Sequence, residues 1–372
     1  MTAAGVYLDY NATAPLRPEA ADAVSEALAQ GGNPSSVHAS GRAARHRVEK
    51  ARAAVADLVG AAPRQVAFTS GGTEANHTAL VATGADRLIV SAIEHDSVLA
   101  PARNSDSHLD ILPVQADGVI DMAAVERLLA EGARPALVSV MLANNETGVV
   151  QPVADVAGLA HKHNAVVHCD AVQAVGKLPV DFEALGVDML SLSGHKLGAP
   201  AGVGALVVGE TLAFSPRQTG GGQEFGRRAG TENLAGIAGM GAAATAAATL
   251  TDTDRLCALR DDLEARLLGI SPGSRVFGAE APRLPNTTCI TMPGVSAELQ
   301  VMALDLAGVA VSAGAACSSG KVQASHVLRA MGADEEAAAS AIRISTGWAT
   351  TPEDIDRLVE AWSALYQRKH AA

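Results

Sequence analysis

Aromatic side chains are scarce: five Phe, three Tyr and two Trp among 372 residues. The core must therefore be built from Ala, Val, Leu and Ile, which suits a parallel sheet covered by Ala-rich helices. Cysteine is scarce too. Cys169, Cys257, Cys289 and Cys317 form no C-x-x-C pair, so neither a zinc ribbon nor a disulfide framework is expected, and no metal site. Isolated cysteines suit a reducing compartment, and Cys169, Cys257 and Cys289 read as small core residues. Positive charge is in deficit, with 28 Lys and Arg against 40 Asp and Glu, a net charge of −12. Such a surface repels phosphate backbones, so nucleic acid is not an expected partner. No long hydrophobic run occurs. The longest uncharged stretch, 234–250, is mostly Ala and Gly, too weakly apolar for a membrane span, and reads as a buried helix. The first residues show no basic segment followed by an apolar run, so no signal peptide and a cytoplasmic location are expected.

What is present is a large apolar fraction, 48% against 18% charged, enough for a sizeable core. The length exceeds what one core usually organises, so two domains are expected. Short β-rich runs at 65–69, 87–91, 110–114, 136–142, 165–169, 189–193 and 203–208 alternate with helical patterns at 74–82, 122–131 and 153–163. That alternation predicts a mostly parallel, seven-stranded α/β sheet, with one antiparallel pairing at 203–208. After about Thr251 the rhythm changes. Helices at 253–268, 298–306 and 352–366 surround short strands near 287–292, 310–312 and 341–345, the pattern of a smaller α+β domain.

Five segments carry possible chemistry. Ser193-Gly194-His195-Lys196 follows a predicted buried strand, where ligands of α/β sheets collect. A partly desolvated lysine there can form a Schiff base, although a lone lysine is more often simply solvated. The run 165–169 leads into Asp170. A buried carboxylate at that point is costly alone; it suits a cationic pyridinium nitrogen, or it caps the next turn. Thr69-Ser70-Gly71-Gly72-Thr73-Glu74 runs from strand to helix and offers free N–H groups to an anion, as a plain βα turn also would. His95, just past another strand, can stack on a ring and move protons, or sit near a helix N-cap. Ala315-Ala316-Cys317-Ser318-Ser319-Gly320 places a thiol among small residues, the composition of a mobile loop from which it can reach a substrate.

Together these segments resemble the cysteine desulfurases, the NifS/IscS-like branch of the class V aminotransferase-like, fold-type I pyridoxal phosphate enzymes. The resemblance runs from Leu8-Asp9-Tyr10-Asn11-Ala12-Thr13 to Ile342-Arg343-Ile344-Ser345, through Gly32-Asn33-Pro34-Ser35-Ser36, Asn144-Asn145-Glu146-Thr147-Gly148 and Arg227-Arg228-Ala229-Gly230-Thr231. It implies a large cofactor domain, 13–251, and a small domain, 1–12 with 252–372, carrying the cysteine loop. It implies that Lys196 binds pyridoxal 5′-phosphate and shuttles protons, that Asp170 pairs with the pyridine nitrogen, that Gln173 bonds the ring hydroxyl and that His95 stacks on the ring. Gly72, Thr73, Ser193 and His195 would hold the phosphate, and Thr231 would reach the phosphate of the other subunit in a homodimer with shared sites. Arg343, whose planar fork suits a carboxylate, would clamp the substrate, with Asn33 and Asn145 orienting it. The implied reaction takes sulfur from L-cysteine onto Cys317 as a persulfide, releases L-alanine and passes the sulfur to an acceptor such as an iron–sulfur scaffold protein.

Two departures from the family pattern stand out. After Lys196 the chain reads Leu-Gly-Ala-Pro-Ala-Gly, with Ala201 where many relatives carry lysine. The helix at 352–366 is not followed by the longer extension that docks a scaffold in some relatives. The rival readings are a selenocysteine lyase, an aminotransferase and a non-catalytic partner protein. An aminotransferase has no use for a thiol on a loop, and a non-catalytic protein none for Lys196, Asp170, His95 and Cys317 together.

Overall fold

The computed structural model describes residues 5–132, 136–248, 252–314 and 325–370. Its strands are β1 (Val6–Tyr7), β2 (Val66–Thr69), β3 (Arg87–Ser91), β4 (His108–Leu112), β5 (Ala136–Met141), β6 (Val166–Asp170), β7 (Met189–Ser193), β8 (Gly204–Val208), β9 (Thr287–Thr291), β10 (Val309–Ala310), β11 (Ser312–Ala313) and β12 (Ala341–Ser345). Seven of them form one sheet in the order β2-β8-β7-β6-β5-β3-β4. The expected large, mostly parallel α/β sheet is therefore present. Its antiparallel member is β8, as the short 193–204 connection suggests. However, β8 lies inside the sheet, so it makes two antiparallel ladders, with β2 and with β7, and not one.

Every residue of β2, β3, β5, β7 and β8 is buried. Strands covered on both faces read as continuous apolar runs, which is why they were visible in the sequence. The edge strand β4 differs. It starts two residues before the expected 110–114, because it pairs in register with β3 from Arg87–His108 onward. Its charged Asp110 faces the Arg87 guanidinium at 2.6 Å, and such charges blunt a sheet edge.

Helices Pro18–Gln30, Ala39–Leu58 and Leu234–Ala247 pack together beside this sheet. The last is the expected buried helix. Its approach to Ala39–Leu58 requires glycine, since a Cβ on Gly241 would lie 2.5 Å from Ala51 Cα.

A second apolar core joins β1, β9, β10 and β12 to helices Thr253–Ile270, Ala297–Leu306 and Pro352–His370, around the fully buried Trp362. The run expected at 310–312 is two strands. β10 pairs parallel with β1, and β11 pairs antiparallel with β12. Cys169 and Cys289 are buried as expected, and burial raises both thiol pKa values. Cys257 departs from the expectation, being only half-buried on helix Thr253–Ile270. Among the described residues no helix is long and apolar enough to cross a membrane, and no cluster suits a metal ion.

Candidate active site

The carboxyl ends of β6 and β7 and the start of helix Gly72–Ala82 converge on a cavity of about 320 Å³. Gly72, Thr73, His95, Asn145, Asp170, Gln173, Ser193, His195, Lys196 and Arg343 all line it. Two expected residues do not. Thr231 lies in a separate hollow with Ser70, Glu224 and Arg228, and Asn33 is exposed, its Oδ1 accepting from Ser35 N at 2.9 Å. Cys317 lies outside the described residues.

Lys196 sits in the short helix Gly194–Leu197, directly after β7. Its Nζ donates to the carbonyl oxygens of Asn11 and Ala12, the second at 2.8 Å. Removal from water, aided by the Arg343 charge, lowers its pKa to about 8, against the opposing pull of Asp9 and Asp170. The amine thus reaches its neutral, nucleophilic form close to neutral pH.

Asp170 ends β6 and is buried. Its Oδ2 accepts from Asn76 Nδ2 at 2.6 Å and its Oδ1 from the Val172 N–H at 2.9 Å. The second bond is the turn-capping role, and the residue also lines the cavity. Burial pushes its pKa up, while these donors and the nearby cations pull it down. The neighbouring Glu94 is fully buried, with Oε1 accepting from Met141 N at 2.6 Å. Burial, and then the charge of Asp170, raise its pKa well above the usual carboxylate range. Glu94 is therefore the neutral member of the pair.

Asn76 also donates to Ser97 Oγ at 2.9 Å, and that hydroxyl lies 2.8 Å from His95 Nδ1. His95 is the N-cap of helix Asp96–Arg103, accepting from Ser97 N at 3.0 Å. The helix-cap reading of this histidine is realised, and the same side chain lines the cavity. The cap occupies the Nδ1 lone pair, so the neutral ring carries its proton on Nε2.

Helix Gly72–Ala82 leaves its first N–H groups without intrahelical partners. A side chain at its first residue would crowd its neighbours: a Cβ on Gly72 would lie 2.9 Å from Val172 Cγ2 and 3.3 Å from Ser193 Cβ. The turn is braced by Glu74, whose carboxylate accepts from Ser70 N at 2.8 Å and pairs with Arg228 at 3.0 Å. His195, 3.2 Å from Thr13 Oγ1, has its pKa lowered to about 4 by burial and by Lys196.

On the opposite wall, β12 supplies the buried Arg343. It pairs with Asp9 at 2.7 Å and donates to Asn145 O at 3.1 Å, and its Nε is buried without a partner. Asn11, Asn76, Glu94 and Lys177 are constituents that sequence reasoning missed. Asn11 lay within a segment already singled out, Leu8 to Thr13, and Glu94 beside His95. The other two carried no local signal.

The class-V aminotransferase model matches residues 6–358. The chain belongs to the class-V aminotransferase family. Within it, the chain is 46% identical to a cysteine desulfurase of Cereibacter sphaeroides, over 98% of this chain and 97% of the relative. It is 37% identical to an IscS-like cysteine desulfurase of Mycobacterium tuberculosis, over 98% and 97%. Among solved structures, a NifS-like protein from Rickettsia africae superposes with a TM-score of 0.91 at 35% identity, covering 98% of this chain and 99% of that one. A structure described as SspA in complex with cysteine gives 0.80 at 29% identity, over 91% and 98%.

This class-V member is a pyridoxal-phosphate-dependent cysteine desulfurase by family, and its cavity fits the cofactor. A lysine amine of lowered pKa, a buried carboxylate, a side-chain-free helix start and an unpartnered buried Asn76 Oδ1 face one space.

Proposed function

We propose that this chain takes sulfur from L-cysteine onto Cys317, releasing L-alanine, with the cavity residues in the roles their placement supports. The observation that carries the reading is the convergence of Lys196, Asp170 and Arg343 on one cavity. When bound, pyridoxal phosphate supplies an electron sink for charge developing at the substrate α-carbon. Asp170 offers the fixed negative charge that keeps the cofactor's ring nitrogen protonated. The Gly72-Thr73 helix start, with Ser193 and His195, holds its phosphate. His95 would stack on its ring and Gln173 would donate to its hydroxyl. Arg343 binds the substrate carboxylate, and Asn145, held through its own carbonyl, orients the substrate. The freed Lys196 amine moves the proton to and from the α-carbon. The Cys317 thiolate attacks the substrate sulfur; the C–S bond breaks, a persulfide stays on Cys317, and the carbon skeleton takes up a proton to leave as alanine.

The same proposal makes the enzyme a homodimer. Thr231 does not line the cavity of its own chain, which supports its delivery to the cofactor phosphate of a second copy; Asn33 completes the substrate site once the assembly forms. It takes 13–251 as the cofactor-binding unit and 1–12 with 252–372 as the unit carrying Cys317. A cytoplasmic setting keeps that thiol reduced, and a sulfur-acceptor protein, such as an iron–sulfur scaffold, receives the persulfide.

The test is direct. Purified protein loaded with the cofactor should be yellow and should release sulfide and alanine from L-cysteine when a reductant is present. Cys317→Ala should keep the colour and lose sulfide release. Wild-type rates in that variant would remove Cys317 from the mechanism. Turnover of L-selenocysteine far above that of L-cysteine would make the protein a selenocysteine lyase instead.

A further inference from the structure

Lys196 separates two cavities. Behind the 320 Å³ cofactor cavity lies one of about 160 Å³, and Lys196 lines both. Lys177 lines only the rear one. Its Nζ donates to Gln173 Oε1 at 2.7 Å and to Asn11 Oδ1 at 2.8 Å. The Asn11 carbonyl can only accept, so the end of Gln173 that meets it is the NH₂ and the end that meets Lys177 is the carbonyl oxygen. The amide of Gln173 is thereby oriented. Its Nε2 donates to Asn11 O at 2.9 Å, the same carbonyl that accepts from Lys196. One amide and one carbonyl thus connect the two lysines.

We propose that Lys177 is a positioning residue of the active site: from the rear cavity it fixes the Gln173 amide with its NH₂ end towards the cofactor, and through that donor it weakens the hold of the Lys196 nitrogen on a proton. This rests on the reading that Lys196 carries the cofactor and that Gln173 faces the ring hydroxyl. A donor on the ring oxygen stabilises negative charge there and weakens that oxygen's hold on a proton at the lysine nitrogen. Lys177 acts here as a hydrogen-bond donor rather than as a charge, since burial, and then the charges of Lys196 and Arg343, lower its own pKa well below the usual lysine value. The other charged groups around the pair are Arg343, Asp9, Asp170 and His195 on the front side, and Arg17 and Asp252 on the rear. Asp9 is engaged by Arg343.

The test is a spectrophotometric pH titration of the lysine-bound chromophore in wild type, Lys177→Met and Lys177→Arg, with cofactor content and dimer state checked for each. The midpoint should rise by about one pH unit in Lys177→Met, a tenfold gain in proton affinity. It should rise by less than half as much in Lys177→Arg, which keeps a donor. An unmoved midpoint in folded Lys177→Met, or an equal rise in both variants, would overturn the proposal. If Lys177→Met does not fold, Lys177→Gln takes its place under the same criterion. If the wild type takes up no pyridoxal phosphate, the functional reading fails, and the inference, which rests on it, falls with it; an unmoved midpoint in a variant that does bind the cofactor overturns the inference alone.

Discussion

A primary amine attacks a carbonyl only in its neutral form, and Lys196 reaches that form with a pKa of about 8 rather than 10.5. Cofactor uptake by the cofactor-free protein should therefore speed up about tenfold per pH unit below pH 8 and level off above it. Stopped-flow absorbance at several pH values checks this; a profile still climbing at pH 10 would mean that Lys196 titrates like a solvated lysine. The same shift has a stability consequence. A base with a depressed native pKa leaves the folded chain holding fewer protons than the unfolded chain between about pH 8 and 10.5, so the stability of the cofactor-free protein rises with pH across that window. Lys196 and Asp170 were legible in the sequence because each follows an apolar run that ends in a polar residue. Asn76 and Lys177 were not. Asn76 joins Asp170 to the His95 cap across 94 and 21 residues, and Lys177 meets Asn11 across 166. Contacts of that span leave no spacing to read.

Elements carry the phosphate cradle. Helix Gly72–Ala82 starts so close to Val172 and to Ser193 at the end of β7 that a Cβ at its first residue would crowd both. Gly72→Ala forces Val172 or the helix start to shift by a few tenths of an ångström, and the N–H groups aimed at an anion shift with it. The variant should bind pyridoxal phosphate about tenfold more weakly, a loss of about 1.4 kcal/mol. Equilibrium dialysis of the cofactor measures this, and unchanged affinity would separate the turn from phosphate binding. The strands of the large sheet were readable as elements because burial on both faces makes each a short apolar run. Helices Pro18–Gln30 and Ala39–Leu58 escaped notice. Both are Ala-rich with scattered charges. The first buries only Ala20 and Ala27; the second buries Gly41, Ala44, Val48, Ala51, Arg52, Val55 and Ala56, a stripe of mostly small residues interrupted by an arginine. Likewise nothing in 309–313 tells where β10 ends and β11 begins, since the change of partner from β1 to β12 is a tertiary event.

At the scale of the molecule, the large sheet and, through Arg343, strand β12 both reach the cavity, and Glu146 stands at their junction. It follows β5 of the large sheet, yet its Oε2 accepts from Ser325 Oγ at 2.5 Å, and a Cβ on Gly314 would come within 3.4 Å of the same oxygen. Gly314 and Ser325 flank the segment that contains Cys317. Around Glu146, Arg343 reaches from β12 to Asn145 O, and Leu284 N donates to Gly148 O at 2.8 Å. Burial raises the Glu146 pKa to about 7, although the Ser325 hydroxyl and the Arg343 charge pull it down. The sign follows from proton binding. An acid with a raised native pKa leaves the folded chain holding more protons than the unfolded chain between about 4.5 and 7. Its contribution to stability is complete below that window and is lost as the pH rises through 7. Glu146→Gln keeps an uncharged acceptor for Ser325 at every pH. The variant should match wild type near pH 4.5 and exceed it above pH 7 by on the order of 3 kcal/mol, the free energy of a shift of that size. Urea denaturation of both proteins at pH 5 and pH 8.5 decides the matter. If the gap between them does not widen with pH, Glu146 is already ionised when the chain folds, and the junction is held by charge pairing with Arg343 rather than by a neutral hydrogen bond.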